Sequence, residues 1–231
     1  MTSLVQTAER PAASPEVSAA AEAARYALLR RLAPSMRHHL VVNLQPIGMI
    51  YEVMDRRLRA AEPNLAEVHD SAQKINGFAR AALASSIDVV SWLAPQDEVM
   101  VAPADGVREC LGLITTSLTF RGYAVRNEVT PVAGKVRRAA MRNVFTGALI
   151  HATDQNAAPS DLVVTADAIG SELVMTLTLR PTEGDQGFAP EQPYRPLSPG
   201  DLDALAAAEN VKVTRTGTQV LRLAFPLVSS A

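Results

Sequence analysis

Between Ser18 and Ala61, apolar side chains recur at Leu29, Leu32, Met36, Leu40, Ile47, Ile50, Met54 and Leu58, with Asn43 filling the one gap in the series. Steps of three and four residues place these positions on one seam of a helix that packs lengthwise on a partner. Pro34 and Pro46 fall inside the segment, and each removes a backbone donor, so a bend is expected there. Ala61-Glu62-Pro63-Asn64 reads as a turn: Pro63 interrupts the first helix and Asn64 caps the next. A second seam follows through Leu65, Val68, Ala72, Ile75, Phe78, Ala82, Ile87 and Val90. It ends near Trp92-Leu93-Ala94, because Pro95 disfavours a helical residue before it. Two long helices joined by a short turn make an antiparallel hairpin. Alone, such a hairpin leaves much of each apolar face in water. Pairing two copies into a four-helix bundle covers those faces, so a homodimer is expected.

After Pro95 the periodicity changes. Glu98 to Val101 reads as a short strand, and Ala104 to Phe120 as a helix carrying Val107, Cys110, Leu111, Ile114 and Leu118. Gly122 to Val129 alternates like a strand, and Lys135 to Thr153 is helical again. Asp161 to Ala168 and Glu172 to Leu179 form a hairpin around Ile169-Gly170. A Pro/Gly-rich loop runs from Pro181 to Gly200. A helix from Asp201 to Glu209 and strands at Val211 to Arg215 and Gln219 to Phe225 finish the chain. The expected class is α+β: a long helical hairpin followed by a layered α/β sandwich. The expected organisation is a flexible tail at 1–15, the hairpin at 16–95 and the sandwich at 96–231.

Composition narrows the chemistry. The 231 residues carry a formal net charge of −2, against the basic excess of a general nucleic-acid binder. The single cysteine, Cys110, excludes an intrachain disulfide and a cysteine zinc cluster. Adjacent residues on a helix diverge by about 100°, so His38 and His39 cannot both ligate one ion, and no metal is expected. His69 and His151 read as structural or exposed. No uncharged apolar run is long enough to span a bilayer, so no membrane span is expected, a cytoplasmic location fits, and the input comes from a soluble molecule. No hydrolase elbow, dinucleotide fingerprint or phosphate loop is present.

Three stretches carry a family likeness. Arg37-His-His-Leu-Val-Val-Asn-Leu-Gln-Pro-Ile47 lies on the first helix, Arg137 to Thr153 (RRAAMRNVFTGALIHAT) on a later one, and Leu197 to Pro226 closes the fold. In this order and spacing the chain resembles the core of sensor histidine kinases over roughly Ala20 to Leu227: a dimerisation and phosphotransfer hairpin, then an ATP-binding domain. The resemblance implies a phospho-acceptor at His38. It sets His39 where the family has an acidic residue, and Asn43-Leu44 near its asparagine or proline and leucine. On a helical wheel centred on the seam, His39 lies about 60° away and His38 about 160° away, facing solvent. Neutral imidazole is a competent nucleophile at cell pH, and Arg37 beside it supplies charge for a phosphoryl group.

The same alignment marks departures. His151 stands where the family's magnesium-chelating asparagine is expected, and Gly147 at its earlier asparagine. Asn143 lies about two turns upstream. Arg180 and Pro181 occupy the place of the adenine-reading aspartate, with Asp185 and Gly187 a weak echo of the glycine box, and the lid is short. ATP binding requires these groups together, so neither nucleotide nor any other cofactor is expected. His39 in the acidic position weakens autokinase chemistry, and Val42, where the family orients water, weakens phosphatase chemistry. The leading expectation is a phosphotransfer protein that takes a phosphoryl group on His38 from one response-regulator receiver domain and passes it to another. The rival is a non-catalytic adaptor that regulates a receiver or kinase by binding, and a divergent active kinase stands third. The basic residues Arg30, Arg31, Arg37, Arg56, Arg57 and Arg59, and the cluster Lys135, Arg137, Arg138 and Arg142, read as solvated faces or as steering for an acidic receiver.

Overall fold

A computed structural model describes residues 18–93, 98–184, 187–188 and 194–229. The tail at 1–15, the junction at Pro95 and Asp185 lie outside the described residues. Helix α1 (Ala19–Leu58) starts at Ser18, whose side chain accepts from the Ala21 amide at 3.2 Å. It runs continuously through Pro34 and Pro46. The turn delivers the chain to α2 (Leu65–Leu93), where Asn64 Oδ1 accepts from Ala66 N at 3.1 Å as a cap. The two helices lie side by side along the hairpin.

The expected second seam needs correction past Ala82. Ile87 and Val90 are 62% and 59% exposed. Five residues from Ala82 to Ile87 advance the helix by about 500°, which carries Ile87 off the seam. The inward line runs instead through Ala82, Val89 and Trp92, the last two packing on the main core. Near the turn, Ser71 is buried in place of Ala72, while Leu65 and Leu58 face out.

Next come β1 (Met100–Val101), α3 (Pro103–Phe120), β2 (Tyr123–Asn127) and β3 (Val136–Arg137). The expected helix from Lys135 starts only at Arg138, because Val136 and Arg137 pair antiparallel with Val101 and Met100. It then runs as α4 (Arg138–Ala140), a π-helical turn (Met141–Phe145) and α5 (Thr146–Gln155). Strands β4 (Ser160–Ile169) and β5 (Glu172–Pro181) form the expected hairpin, followed by α6 (Pro199–Ala208), β6 (Lys212–Thr216) and β7 (Val220–Pro226). The five-stranded sheet has the order β2-β4-β5-β7-β6, with β2 and β4 parallel and the other pairs antiparallel.

The fold is α+β. Along β5, Leu173, Met175, Leu177 and Leu179 are buried while their neighbours are half-exposed, the alternation of a sheet covered on one face. Onto that face pack Val107, Cys110 and Ile114 of α3, Phe145 and Leu149 of the central helix, and Leu202 and Leu205 of α6. The first half of α1 joins the same core through Ala24, Ala27, Leu28, Leu32 and Met36, lying across α3 and α6. Helix α1 and the sandwich therefore share one hydrophobic cluster.

Candidate functional site

Two residues beyond the last buried position of α1, the helix turns its polar face outward. Ser35 and Met36 are buried, Arg37 and His38 are exposed, and His39 and Leu40 are half-buried. His38 is separated from inward-facing Met36 by about 200° of helix, which sets its imidazole in solvent. The His38 and His39 rings stand edge-to-face with centroids 6.4 Å apart. Among the described residues no carboxylate hydrogen-bonds either ring, so neither is held as half of a catalytic dyad.

Beside His38 the surface is hollow. A cleft of about 530 Å³ has one wall from α1, formed by Pro34, Ser35, Arg37, His38, His39 and Val41. The opposite wall is Leu113, Thr116, Ser117 and Phe120 of α3, with Phe188 at the rim. Phe120 and Phe188 are 63% and 80% exposed, large apolar side chains of the kind that mark contact sites. The loop carrying Phe188 is seated by its backbone: Phe188 N donates to Phe120 O at 2.9 Å. Gly187 adopts φ +59°, and a Cβ there would lie 2.5 Å from Gly122 N, so the loop approaches the α3–β2 turn as only glycine allows. Arg37 also lines a second, smaller hollow of about 340 Å³ with Arg30, Ala33 and Pro34. Arg30 stacks over Tyr194 at 5.3 Å on that flank.

The residues that the family alignment sets at a nucleotide are engaged elsewhere. His151 is 4% exposed, and its Nδ1 lies 2.7 Å from the Leu197 carbonyl. At Gly147, added side-chain volume would meet Leu205 Cδ1 at 3.0 Å, because α6 closes on α5 there. Asn143 donates its amide to Glu209 Oε1 at 2.7 Å. Every residue from Thr146 to Thr153 is buried. Gly184 is exposed in the loop after β5. His69 is exposed and pairs with Gln73 at 2.9 Å. Burial pushes the Cys110 thiol up to about 12, so it is no nucleophile at cell pH. Among the described residues no group of three or more His, Cys, Asp or Glu could hold a metal ion, and no helix is long and apolar enough to cross a membrane.

Two arginines depart from the expected solvated faces. Arg31 is nearly buried, and its guanidinium forks onto Asp154 with both bonds at 2.7 Å. Arg142 is also nearly buried, ion-paired to Glu109 and to Asp88 (3.3 Å), and it stacks over Trp92 at 4.6 Å. Long side chains at these positions reach carboxylates far away in sequence, which helix periodicity does not reveal. Sequence reasoning also missed the far wall of the cleft. Leu113, Thr116, Ser117 and Phe120 recur at helical spacing on α3, and that stripe was its only available signal.

No protein-family model matches the chain, and no curated protein matches it in sequence. Solved structures are similar in fold. A histidine kinase from Burkholderia phymatum is 16% identical over 87% of this chain and 99% of its own, with a TM-score of 0.44. The histidine kinase AdeS of Acinetobacter baumannii is 13% identical over 79% of this chain and 97% of its own, with a TM-score of 0.41. A bacterial phosphotransferase is 16% identical over 86% of this chain and 95% of its own, with a TM-score of 0.36. Likeness at this level concerns fold and says nothing about activity.

Proposed function

We propose that the protein is a phosphotransfer component of two-component signalling, charging His38 from the phospho-aspartate of a response-regulator receiver domain and discharging it to another, without ATP. One observation carries the reading: His38 is exposed on α1 at the mouth of an apolar cleft, while His151, Gly147 and Asn143 are engaged in packing. In the forward step a ring nitrogen of neutral His38 attacks phosphorus. The N–P bond forms, the P–O bond to the receiver aspartate breaks, and its electron pair returns to the carboxylate. The imidazolium proton is then lost to water. Arg37 offers charge to the phosphoryl oxygens, and half-buried His39 lies in the same cleft wall beside the acceptor. Phe120 and Phe188 give an incoming receiver an apolar surface to cover.

The remaining apolar surface supports a homodimer. Leu44, Met49, Leu83, Ile87 and Val90 are exposed along the hairpin, as a bundle of two copies requires. The reading is tested by incubating the protein with receiver domains of the same cell, each radiolabelled on its aspartate. Acid-labile, alkali-stable label on the wild type and none on His38→Ala is the expected outcome. Equal labelling of both, or binding without label, excludes the relay; the latter leaves the adaptor.

A further inference from the structure

We infer that Arg25, Arg31 and Asp88 are positioning residues: they hold the α/β sandwich in one orientation against the hairpin and so fix the width of the cleft beside His38. The positioning claim rests on the relay reading; the fixed orientation does not.

The first attachment is at Glu209, the C-terminal cap of α6, whose side chain is fully buried. Arg25 donates to its Oε1 at 2.8 Å, while Asn143 (2.7 Å) and Arg137 (3.2 Å) hold it from the sandwich side. The second is at Asp154, also fully buried, near the end of α5. Arg31 grips it with a two-bond fork; Arg121 Nη2 (3.3 Å) and the Leu197 amide (3.0 Å) complete its shell. The third is on α2, where Asp88 and Ser91 Oγ (3.0 Å) accept from Arg142, and Glu109 accepts from it on the sandwich side.

Arg25 and Arg31 are six residues apart, about 9 Å along the helix axis. Asp88 stands on the other helix. Two points on one helix leave rotation about that helix free; a third point off its axis removes it. Beside and between the first two attachments Ala24, Ala27 and Leu28 are buried, so the two alanines bring α1 close while the ion pairs set its register. Forked and buried charge pairs have narrow geometric tolerance and so specify one arrangement more than they add stability. His38 follows Arg31 by seven residues on the same helix, so its distance to Phe120 and Phe188 is set by these contacts.

Each attachment can be released from the hairpin side alone. In the variant Arg25→Met, Arg31→Met, Asp88→Ala, Ser91→Ala, Glu209 keeps Asn143 and Arg137, Asp154 keeps Arg121 and the Leu197 amide, and Arg142 keeps Glu109. No buried charge is stranded, so the variant is expected to fold, which circular dichroism checks. Spin labels at Val42→Cys on α1 and Thr218→Cys at the β6–β7 turn, diluted with unlabelled protein, then read orientation as a distance distribution. One narrow peak in the parent and a broadened or displaced one in the released variant is the expected result. A broad distribution in the parent, or an unchanged one in the variant, overturns the fixed orientation. For the positioning claim, transfer from a labelled receiver should fall at least tenfold in the released variant. Charging of His38 by phosphoramidate, too small to need the far wall, should keep its parent rate. Unchanged receiver transfer, or an equal loss with phosphoramidate, overturns positioning. If the parent accepts no label from any receiver, the relay reading fails and the positioning claim with it, while the distances still decide the orientation.

Discussion

Helix α1 passes through two environments. Up to Met36 it buries seven residues, five of them in the shared core, and Leu28 keeps 2% of its surface. Beyond Met36 none of its residues is buried, and Leu44 keeps 52%. The residue type and the helix are the same; only the neighbours differ. Fully burying a leucine stabilises by roughly 1.5–3 kcal/mol, so the first half is complete within one chain while the second retains that gain for another surface. His38 stands at the border. In the relay proposed above, that border would give the acceptor rigidity from the closed region and access from the open one.

The largest effect is expected where the closed region is densest. Phe145, fully buried in the π-helical turn, touches the sheet-facing core, and Phe145→Ala should cost about 3–5 kcal/mol in urea unfolding. The loss should be independent of protein concentration, because the site lies inside one chain. A cost below about 1 kcal/mol would mean that the core is looser than its burial implies, and the contrast with the open region would dissolve.

The open region predicts the opposite signature. Replacing Leu83 and Ile87 by lysine on α2 adds charge to exposed apolar positions and removes nothing from the core. Dimer dissociation, followed by analytical ultracentrifugation, should strengthen at least 100-fold, about 2.8 kcal/mol. Near-ultraviolet dichroism of the sandwich should stay unchanged. Wild-type protein that sediments as a monomer at high concentration would remove the second copy as the cover for this face.

What the amino-acid order disclosed follows the same division. Local and periodic features were legible: the second helix, the order of elements after Pro95, and the outward setting of His38, which the wheel separates from Met36 by itself. The Asn43 gap was legible as a gap, and its cause is a hydrogen bond from Asn43 Nδ2 to Ser85 Oγ at 2.9 Å across the hairpin. Features created by distant pairing were not. Arg31 reads as one more surface arginine until the chain 123 residues onward supplies Asp154. The π-helical turn that sends Arg142 towards α2 and Asn143 towards α6 has no periodic signature. Phe188 reaches the cleft only because Gly187 lets its loop seat on the α3–β2 turn. Ile87 and Val90 were misplaced because a five-residue step was read as continuing the seam.

The smallest expected effect sharpens the comparison through pH. Helix α6 seals the closed region, and its start is a capping box in which the Ser198 hydroxyl and Asp201 satisfy each other's backbone amides. Arg195 forks onto the Asp201 carboxylate at 2.6 and 2.8 Å. That hydrogen bonding, aided by the lesser Ser198 contacts, holds the carboxyl far below the usual aspartate range despite the opposing effect of burial. A depressed folded-state value contributes stability that is present above the unfolded value of about 3.9 and fades as pH falls towards the folded one. Asp201→Asn should therefore cost about 1 kcal/mol at pH 7 in urea unfolding, the usual scale of a cap. The gap between wild type and variant should narrow steadily below pH 4. Because α6 touches the closed region and not the outer hairpin, dimer dissociation should be the same in both proteins at pH 7. A gap that stays constant down to pH 2 would show that the carboxylate's charge does not contribute, and a shift in dimerisation would couple two regions that the packing keeps apart.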